Sequence, residues 1–240
     1  MKDYFLNEKK SINNIIKEIY SNGYCIIENA ISQKKCDKMI SSLEELQEKT
    51  SKNKNFKDEV SKYGQVIIRD LVLREPDKFL NLIDNRIIMN TLKNIFKDTF
   101  ILDNCMASNS VLLSKKKYKA LIHIDSHLPN TDIANSSDIV VMYCFNDFYR
   151  ENGATKIWPK SHLSGIRIQN EKRYLKNKLN NFKYVKAKKG SIIFFLGQTW
   201  HQIGQNINGK KRWGILCHYK RWWIKPSTDF TKCGVKIFKK

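Results

Sequence analysis

The residues 120–125 read Ala-Leu-Ile-His-Ile-Asp, which sets His123 and Asp125 two positions apart in an apolar, strand-like run. Side chains alternate across a strand, so residues two apart share a face and a single metal ion can take both. A second imidazole, His201, ends the strand-like run 191–200. Two imidazoles and one carboxylate make the facial triad of non-haem Fe(II) oxygenases, with three coordination positions left open. A chelating keto acid fills two of these and O2 the third. Alone, His-x-Asp is a weak signal, since many proteins contain it by chance at the end of a surface strand. Arg212 strengthens it. It follows His201 by eleven residues on the next expected strand, where a guanidinium can hold a distal carboxylate through two parallel hydrogen bonds. Asn206 lies between them as a turn residue.

The other histidines have plainer expectations. His127 extends the motif to His-x-Asp-x-His, but it falls past the strand end and is expected at the pocket edge or surface. His162 is expected to order the loop after Pro159 by hydrogen bonding, and His218 to be a satisfied interior residue. Trp213, Trp222 and Trp223 at strand spacing read as core rather than as a stacking platform.

The elements that must carry these residues fall into two stretches. Ile12, Ile15, Ile16, Ile19 and Tyr20 follow a helical stripe that Gly23 ends. A buried strand is expected at 24–27. A second helix starts after Ser32 as N-cap, with Cys36, Met39, Ile40, Leu43 and Leu46 as its apolar face. The segment 49–57 reads as a polar loop, and helical patterns return at 76–83 and 86–96. From residue 99 short strand-like runs follow one another, at 100–102, 108–113, 120–124, 139–145, 155–158, 191–196 and 213–219, separated by Asn, Asp, Gly and Pro. Strands after a helical beginning predict a mainly β fold with flanking helices. The expected architecture is a jelly roll with the N-terminal helices packed on one sheet. One domain is expected over 1–240, with a mainly helical part at 1–98 and the jelly-roll core at 99–225.

Composition narrows the setting. The chain is 41% apolar and 11% aromatic, as expected of a globular protein. No stretch nears the roughly 18 uncharged apolar residues that span a bilayer, and residues 1–5 lack the apolar core of a secretion signal. Six cysteines are scattered without a CxxC pair, which suits reduced core thiols in a cytoplasmic protein. The net charge is +21, with a pI near 9.7. Such a surface attracts phosphates, nucleic acid or anionic lipid. It also fits a genome drifting toward A and T, because lysine far outnumbers arginine and Asn and Ile are abundant.

Four linked stretches resemble the phytanoyl-CoA dioxygenase family of Fe(II)/2-oxoglutarate oxygenases. Residues 22–29, Asn-Gly-Tyr-Cys-Ile-Ile-Glu-Asn, are similar to that family's first strand. His123-Ile124-Asp125 is similar to its metal motif. Glu151-Asn152-Gly153-Ala154 and Trp158-Pro159-Lys160-Ser161-His162 are similar to its Asn-Gly-Ala and Pro-Gly-Ser-His segments. Residues 190–195, Gly-Ser-Ile-Ile-Phe-Phe, then His201, Asn206 and Arg212, follow its closing motif in order and spacing.

The resemblance implies a double-stranded β-helix of cupin-like form, with His123, Asp125 and His201 on Fe(II) and Arg212 on the far carboxylate of 2-oxoglutarate. It implies that O2 and the keto acid drive hydroxylation of an unactivated C–H in a small molecule, releasing succinate and CO2. Halogenating relatives carry a small residue where Asp125 stands, so Asp125 favours hydroxylation or another oxidative outcome. Two positions depart from the pattern. Met142 stands where many members place a tryptophan beside the cosubstrate, and Lys160 replaces the glycine of Pro-Gly-Ser-His. The cosubstrate's other wall is expected from the strand 108–113, with Asn109 and Val111 facing inward.

Other readings compete. The tail Tyr219-Lys220-Arg221-Trp222-Trp223-Ile224-Lys225 and the high pI suit a nucleic-acid-binding protein, which leaves the histidines, Asp125 and Arg212 unexplained. A silent jelly-roll binding module would have lost a ligand, and none is lost. A cupin-type metalloenzyme without a keto acid is disfavoured by Arg212. Substrate identity rests in loops, expected at 126–137 and 165–183, which carry no readable code. The positive charge favours an anionic or carrier-linked substrate; no membrane partner is expected, and a nucleic-acid partner is disfavoured by the unexplained histidines, Asp125 and Arg212.

Overall fold

The computed structural model describes residues 11–51, 64–112, 118, 120–126, 128, 136–168 and 179–231. His127, the lysine run 115–117, Cys233 and much of the loops expected at 49–57, 126–137 and 165–183 lie outside the described residues.

Helix α1 spans Ile12–Asn22. Ser11 caps its start by accepting the Asn14 N–H, and Gly23 ends it in the left-handed region, with φ 87° and its N–H on the Ile19 carbonyl. An added Cβ on Gly23 would also lie 2.6 Å from Thr199 Oγ1 and 2.7 Å from His162 Nδ1, so both conformation and space require glycine. Strand β1 (Tyr24–Ile27) follows directly, then α2 (Gln33–Ser51) and β2 (Gln65–Ile68). Three helices, α3 (Leu71–Arg74), α4 (Pro76–Ile83) and α5 (Arg86–Phe96), complete the first part. Asn85 caps α5 by accepting the N–H groups of Ile87 and Ile88. Neither β2 nor α3 is among the sequence expectations.

The remaining strands are β3 (Phe100–Ser110), β4 (Asp138–Cys144), β5 (Lys156–Ile157), β6 (Lys183–Tyr184), β7 (Ile192–Leu196), β8 (His201–Gln202) and β9 (Trp213–Arg221). They form two antiparallel sheets, one of six strands in the order β1-β7-β4-β9-β3-β2 and one of three in the order β6-β5-β8. This is the jelly roll with helices on one sheet that the pattern predicts. Both edge strands of the large sheet come from the helical first part of the chain, which ties that part to the core.

Alternation divides the large sheet. Ile139, Val141 and Tyr143 of β4, Ile215, Cys217 and Tyr219 of β9, and Phe194 of β7 pack on Ile15, Ile19, Leu43, Phe79 and Leu92 of the helices. The Tyr143 hydroxyl also donates to the Leu82 carbonyl, pinning α4 to the sheet. The opposite face carries Val140, Met142, Ile193 and Phe195, which pack on Ile157, Val185 and Ala187 of the small-sheet side. That inner layer holds the site.

Two strand expectations change. The runs 100–102 and 108–113 form one strand, β3, with an irregularity between Leu102 and Asn104. The run 120–124 is not a regular strand. It meets the small sheet through a bridge between His123 and His201, and Gln202 of β8 donates from Nε2 to the Ala120 carbonyl at 2.6 Å.

Candidate active site

That bridge is what brings the metal-binding residue types together. The backbone N–H of His123 donates to the His201 carbonyl at 3.0 Å, and the His201 N–H returns the bond to His123 at 3.0 Å. The chain then turns, and the N–H groups of Asp125 and Ser126 both donate to the Gly197 carbonyl, at 2.9 and 3.0 Å. Gly197 must stay bare there, because a Cβ would lie 1.5 Å from Asp138 Oδ1.

With the backbone fixed, the three side chains converge. His123 Nε2 lies 3.6 Å from Asp125 Oδ1, and His201 Nε2 lies 3.5 Å from Asp125 Oδ2. The imidazole centroids are 4.2 Å apart. One ligand atom from each residue falls within 4.8 Å of the others, a spacing that one metal ion can bridge. The tautomers follow from the neighbours. His123 Nδ1 meets the Leu121 carbonyl at 3.0 Å and His201 Nδ1 meets the Thr199 carbonyl at 2.9 Å. A carbonyl only accepts, so each Nδ1 carries the proton and each Nε2 offers its lone pair to the metal position.

Burial and charge then set the titration. Burial, helped by the neighbouring His201, pushes His123 down to about 4. Burial works against the Asp125 carboxylate as well, but the His201, His218 and His123 rings outweigh it and hold Asp125 well below the usual carboxylate range. His201 goes the other way. Burial opposes its charge, yet Asp125 and the Thr199 carbonyl raise its pKa above the ordinary histidine value.

Arg212 sits on the inner face just before β9, only 4% exposed. Its guanidinium lies 4.8 Å over the Phe148 ring, and one terminal nitrogen reaches Thr155 Oγ1 at 3.4 Å. Its Nε is buried with no partner, and none of the described residues gives it a carboxylate. Burial pushes its pKa down to about 10, so it stays charged at neutral pH. A buried, charged fork without an anion is costly to a fold and fits a site kept for one.

The sequence profile described as phytanoyl-CoA dioxygenase (PhyH) matches residues 19–214. The chain belongs to the phytanoyl-CoA dioxygenase family. Among curated proteins, the uncharacterised Rv1501 of Mycobacterium tuberculosis and Mb1539 of Mycobacterium bovis are each 21% identical over 218 residues, covering 88% of this chain and 76% of theirs. Among solved structures, HygX from Streptomyces hygroscopicus with nickel and 2-oxoglutarate bound superposes with a TM-score of 0.70 at 12% identity, over 92% of this chain and 90% of that one. The non-haem, α-ketoglutarate-dependent epimerase SnoN from nogalamycin biosynthesis gives 0.66 at 13% identity, over 88% and 81%. At these identities the structural likeness is one of fold.

The departures from the phytanoyl-CoA dioxygenase pattern have structural counterparts. Met142 is buried on the inner face, level with Leu216 of β9. Lys160 adopts φ 64°, the left-handed conformation that glycine takes without strain. His162 Nε2 donates to the Tyr20 carbonyl at 2.8 Å, and the Lys160 N–H donates to the Asn22 carbonyl at 2.9 Å. The segment therefore fastens the end of α1 beside the site, as expected for His162.

Asn109 and Val111 need correction. In the register of β3, Asn109 stands opposite Trp213 and Val66, both in the helix-side core, and Val111 packs on that core too. The Asn109 carboxamide accepts the Arg212 N–H at 2.8 Å, so it steadies the arginine's backbone from behind. The β3 positions that face inward near Arg212 are Ser108 and Ser110, a parity that the irregularity at Asp103 reverses. Two further expectations change. Trp213 is core, but Trp222 and Trp223 are exposed. His218 is buried yet unsatisfied, its Nε2 having no partner.

Proposed function

We propose that the chain is an Fe(II)- and 2-oxoglutarate-dependent dioxygenase that hydroxylates an unactivated C–H of a small-molecule metabolite, with release of succinate and CO2. The convergence of His123, Asp125 and His201, with both Nε2 lone pairs free, carries this reading. In it these three side chains are the metal ligands and Arg212 takes the distal carboxylate of the keto acid, with Met142 beside it on the inner wall. Bound iron with 2-oxoglutarate and O2 supplies the oxidising power for C–H cleavage. The protein's own residues do the rest. The carbonyls of Leu121 and Thr199 hold each imidazole in the ligating tautomer and orientation. Phe148 and the apolar inner layer keep water from the guanidinium, which strengthens its hold on a carboxylate. Phe195, its ring centroid 5.1 Å from that of His201, shields the same side of the triad.

Support for a small-molecule substrate comes from the neighbours, since HygX was solved with hygromycin B and SnoN with nogalamycin RO. The net charge supports an anionic or carrier-linked molecule. We treat the chain as one catalytic domain over 1–240. Its helical 1–98 part supplies both edge strands to the sheet, and its 99–225 part supplies the triad. No helix among the described residues is long and apolar enough to cross a membrane. The five described cysteines are buried and form no disulfide with one another, which suits a cytoplasmic setting.

The test is an anaerobic titration with Fe(II) and then 2-oxoglutarate, followed by the visible metal-to-ligand charge-transfer band. The wild type gives the band and His201→Ala loses it. Arg212→Ala keeps it but needs more keto acid, by roughly 30- to 700-fold for about 2–4 kcal/mol of lost charge pairing. A folded wild type that binds no iron and gives no band would overturn the reading.

A further inference from the structure

The inner face of the large sheet carries more polar chemistry than the triad and Arg212 use. Asp138 opens β4, His218 lies late on β9, and Gln198 sits in the turn 197–199 that leads to His201. They are 3%, 8% and 6% exposed. Each has an atom without a hydrogen-bond partner, namely Asp138 Oδ1, His218 Nε2 and Gln198 Nε2. Register puts Asp138 opposite Lys220, and His218 opposite Val140 and Asn104, so Asp138, His218 and Lys220 all face the inner layer. Ser136 Oγ lies 3.3 Å from Gln198 Oε1 and 3.1 Å from the Asp138 carbonyl, joining the turn to the strand. Lys220 is occupied by Asp103 at 3.0 Å.

The group adjoins the triad. The Gly197 carbonyl that holds the Asp125 N–H is one residue from Gln198, and the Asp138 carbonyl holds the Gly197 N–H at 3.0 Å. A buried polar atom with no partner costs a protein roughly 1–3 kcal/mol. Three such atoms on and beside the inner face, next to a metal-binding triad, point to a ligand that completes them.

We propose that Asp138, Gln198 and His218 form a substrate subsite that anchors a hydroxyl group, so that the portion of the substrate presented for oxidation is itself hydroxylated. This rests on the oxygenase reading above and adds the substrate class to it. The chemistry selects the group. Burial and the nearby Asp125 push Asp138 up to about 7, so a carboxylate or phosphate would meet a like charge there whenever the carboxyl is ionised. An ammonium would sit beside the Lys220 cation. An alkyl chain would leave all three atoms unpaired. A hydroxyl both donates and accepts, so it can donate to the Asp138 carboxyl oxygen and accept from the His218 and Gln198 nitrogens. The remainder of the molecule, free or carrier-borne, lies outside this subsite and can hold whatever charge the basic surface attracts.

Two measurements test it. In the first, the metal-free protein is melted beside Gln198→Leu and His218→Phe. Groups kept for a ligand are a burden to the free protein, so each substitution leaves the melting temperature unchanged or raises it, by up to about 2–4 °C. A fall of that size in both variants would show that they hold the fold, and would overturn the proposal. In the second, the anaerobic Fe(II)–2-oxoglutarate complex is titrated with myo-inositol and methyl glucoside, and separately with hexanoate and cyclohexylacetate. The hydroxylated pair shifts the visible band, and either variant weakens that response at least tenfold while the band itself persists. A band that shifts with the apolar acids, or with neither set, would also overturn it. A protein that forms no band fails the oxygenase reading instead, and the melting comparison still reports on the subsite.

Discussion

His123 and His201 carry the same ring in opposite electrostatic settings. Burial and its neighbour drive His123 down to about 4, so it is neutral and ready to ligate across the working range. His201 is held above the ordinary histidine value by Asp125 and the Thr199 carbonyl, so of the two rings it is the one whose protonation competes with a metal ion as pH falls. The sign follows directly. Metal affinity falls as pH falls through the His201 pKa, by about tenfold per pH unit for one displaced proton, and levels off above it. Ni(II) titrations of the apo-protein between pH 6 and 8.5, in buffers of different ionisation enthalpy, measure both slope and proton count. A two-proton slope would mean that His123 also starts protonated, and a flat profile would mean that His201 is already unprotonated across that range, against its raised pKa.

At the scale of elements, ligand types and their order were legible in the chain, while their placement was less so. His-x-Asp, a later His and an Arg eleven residues on mark the site because few other arrangements need those four groups in that order. What could not be read is how His123 reaches His201. The run 120–124 looks like a strand by alternation, yet it is held by one bridge, by the Gln202 side chain on Ala120, and just beyond its end by the Gly197 carbonyl. Parity failed on β3 for a definite reason. An extra residue at Asp103 reverses which face every later side chain takes, turning Asn109 to the helices and Ser108 to the interior. Periodicity contains no sign of such a bulge.

The lysine at 160 is different, because its departure from the family's glycine was visible and the structure supplies its consequence. At φ 64° a side chain costs about 1 kcal/mol relative to glycine. Lys160→Gly should raise the melting temperature by about 2–4 °C without changing iron or 2-oxoglutarate affinity. A lower melting temperature would mean that the lysine side chain itself holds the loop.

Across the whole molecule, the inner face and the outer surface make separate demands. The net charge of +21 is carried by a surface that also exposes Trp222 and Trp223 beside Lys225, the combination that binds single-stranded nucleic acid elsewhere. Trp222 already spends its indole N–H on Asp98 at 3.3 Å, and none of the triad residues or Arg212 belongs to that patch. If the charge is a property of composition, any binding it causes is generic counterion release and falls steeply with salt. Random-sequence single-stranded DNA should then be retained at about 50 mM salt and released by about 200 mM. His201→Ala should behave as the wild type does, and added 2-oxoglutarate should change nothing. Gel-shift titrations across that salt range decide the matter. Retention that survives 200 mM salt and responds to 2-oxoglutarate would couple the outer surface to the inner face, and would make the nucleic acid a candidate substrate rather than a passenger on a basic protein.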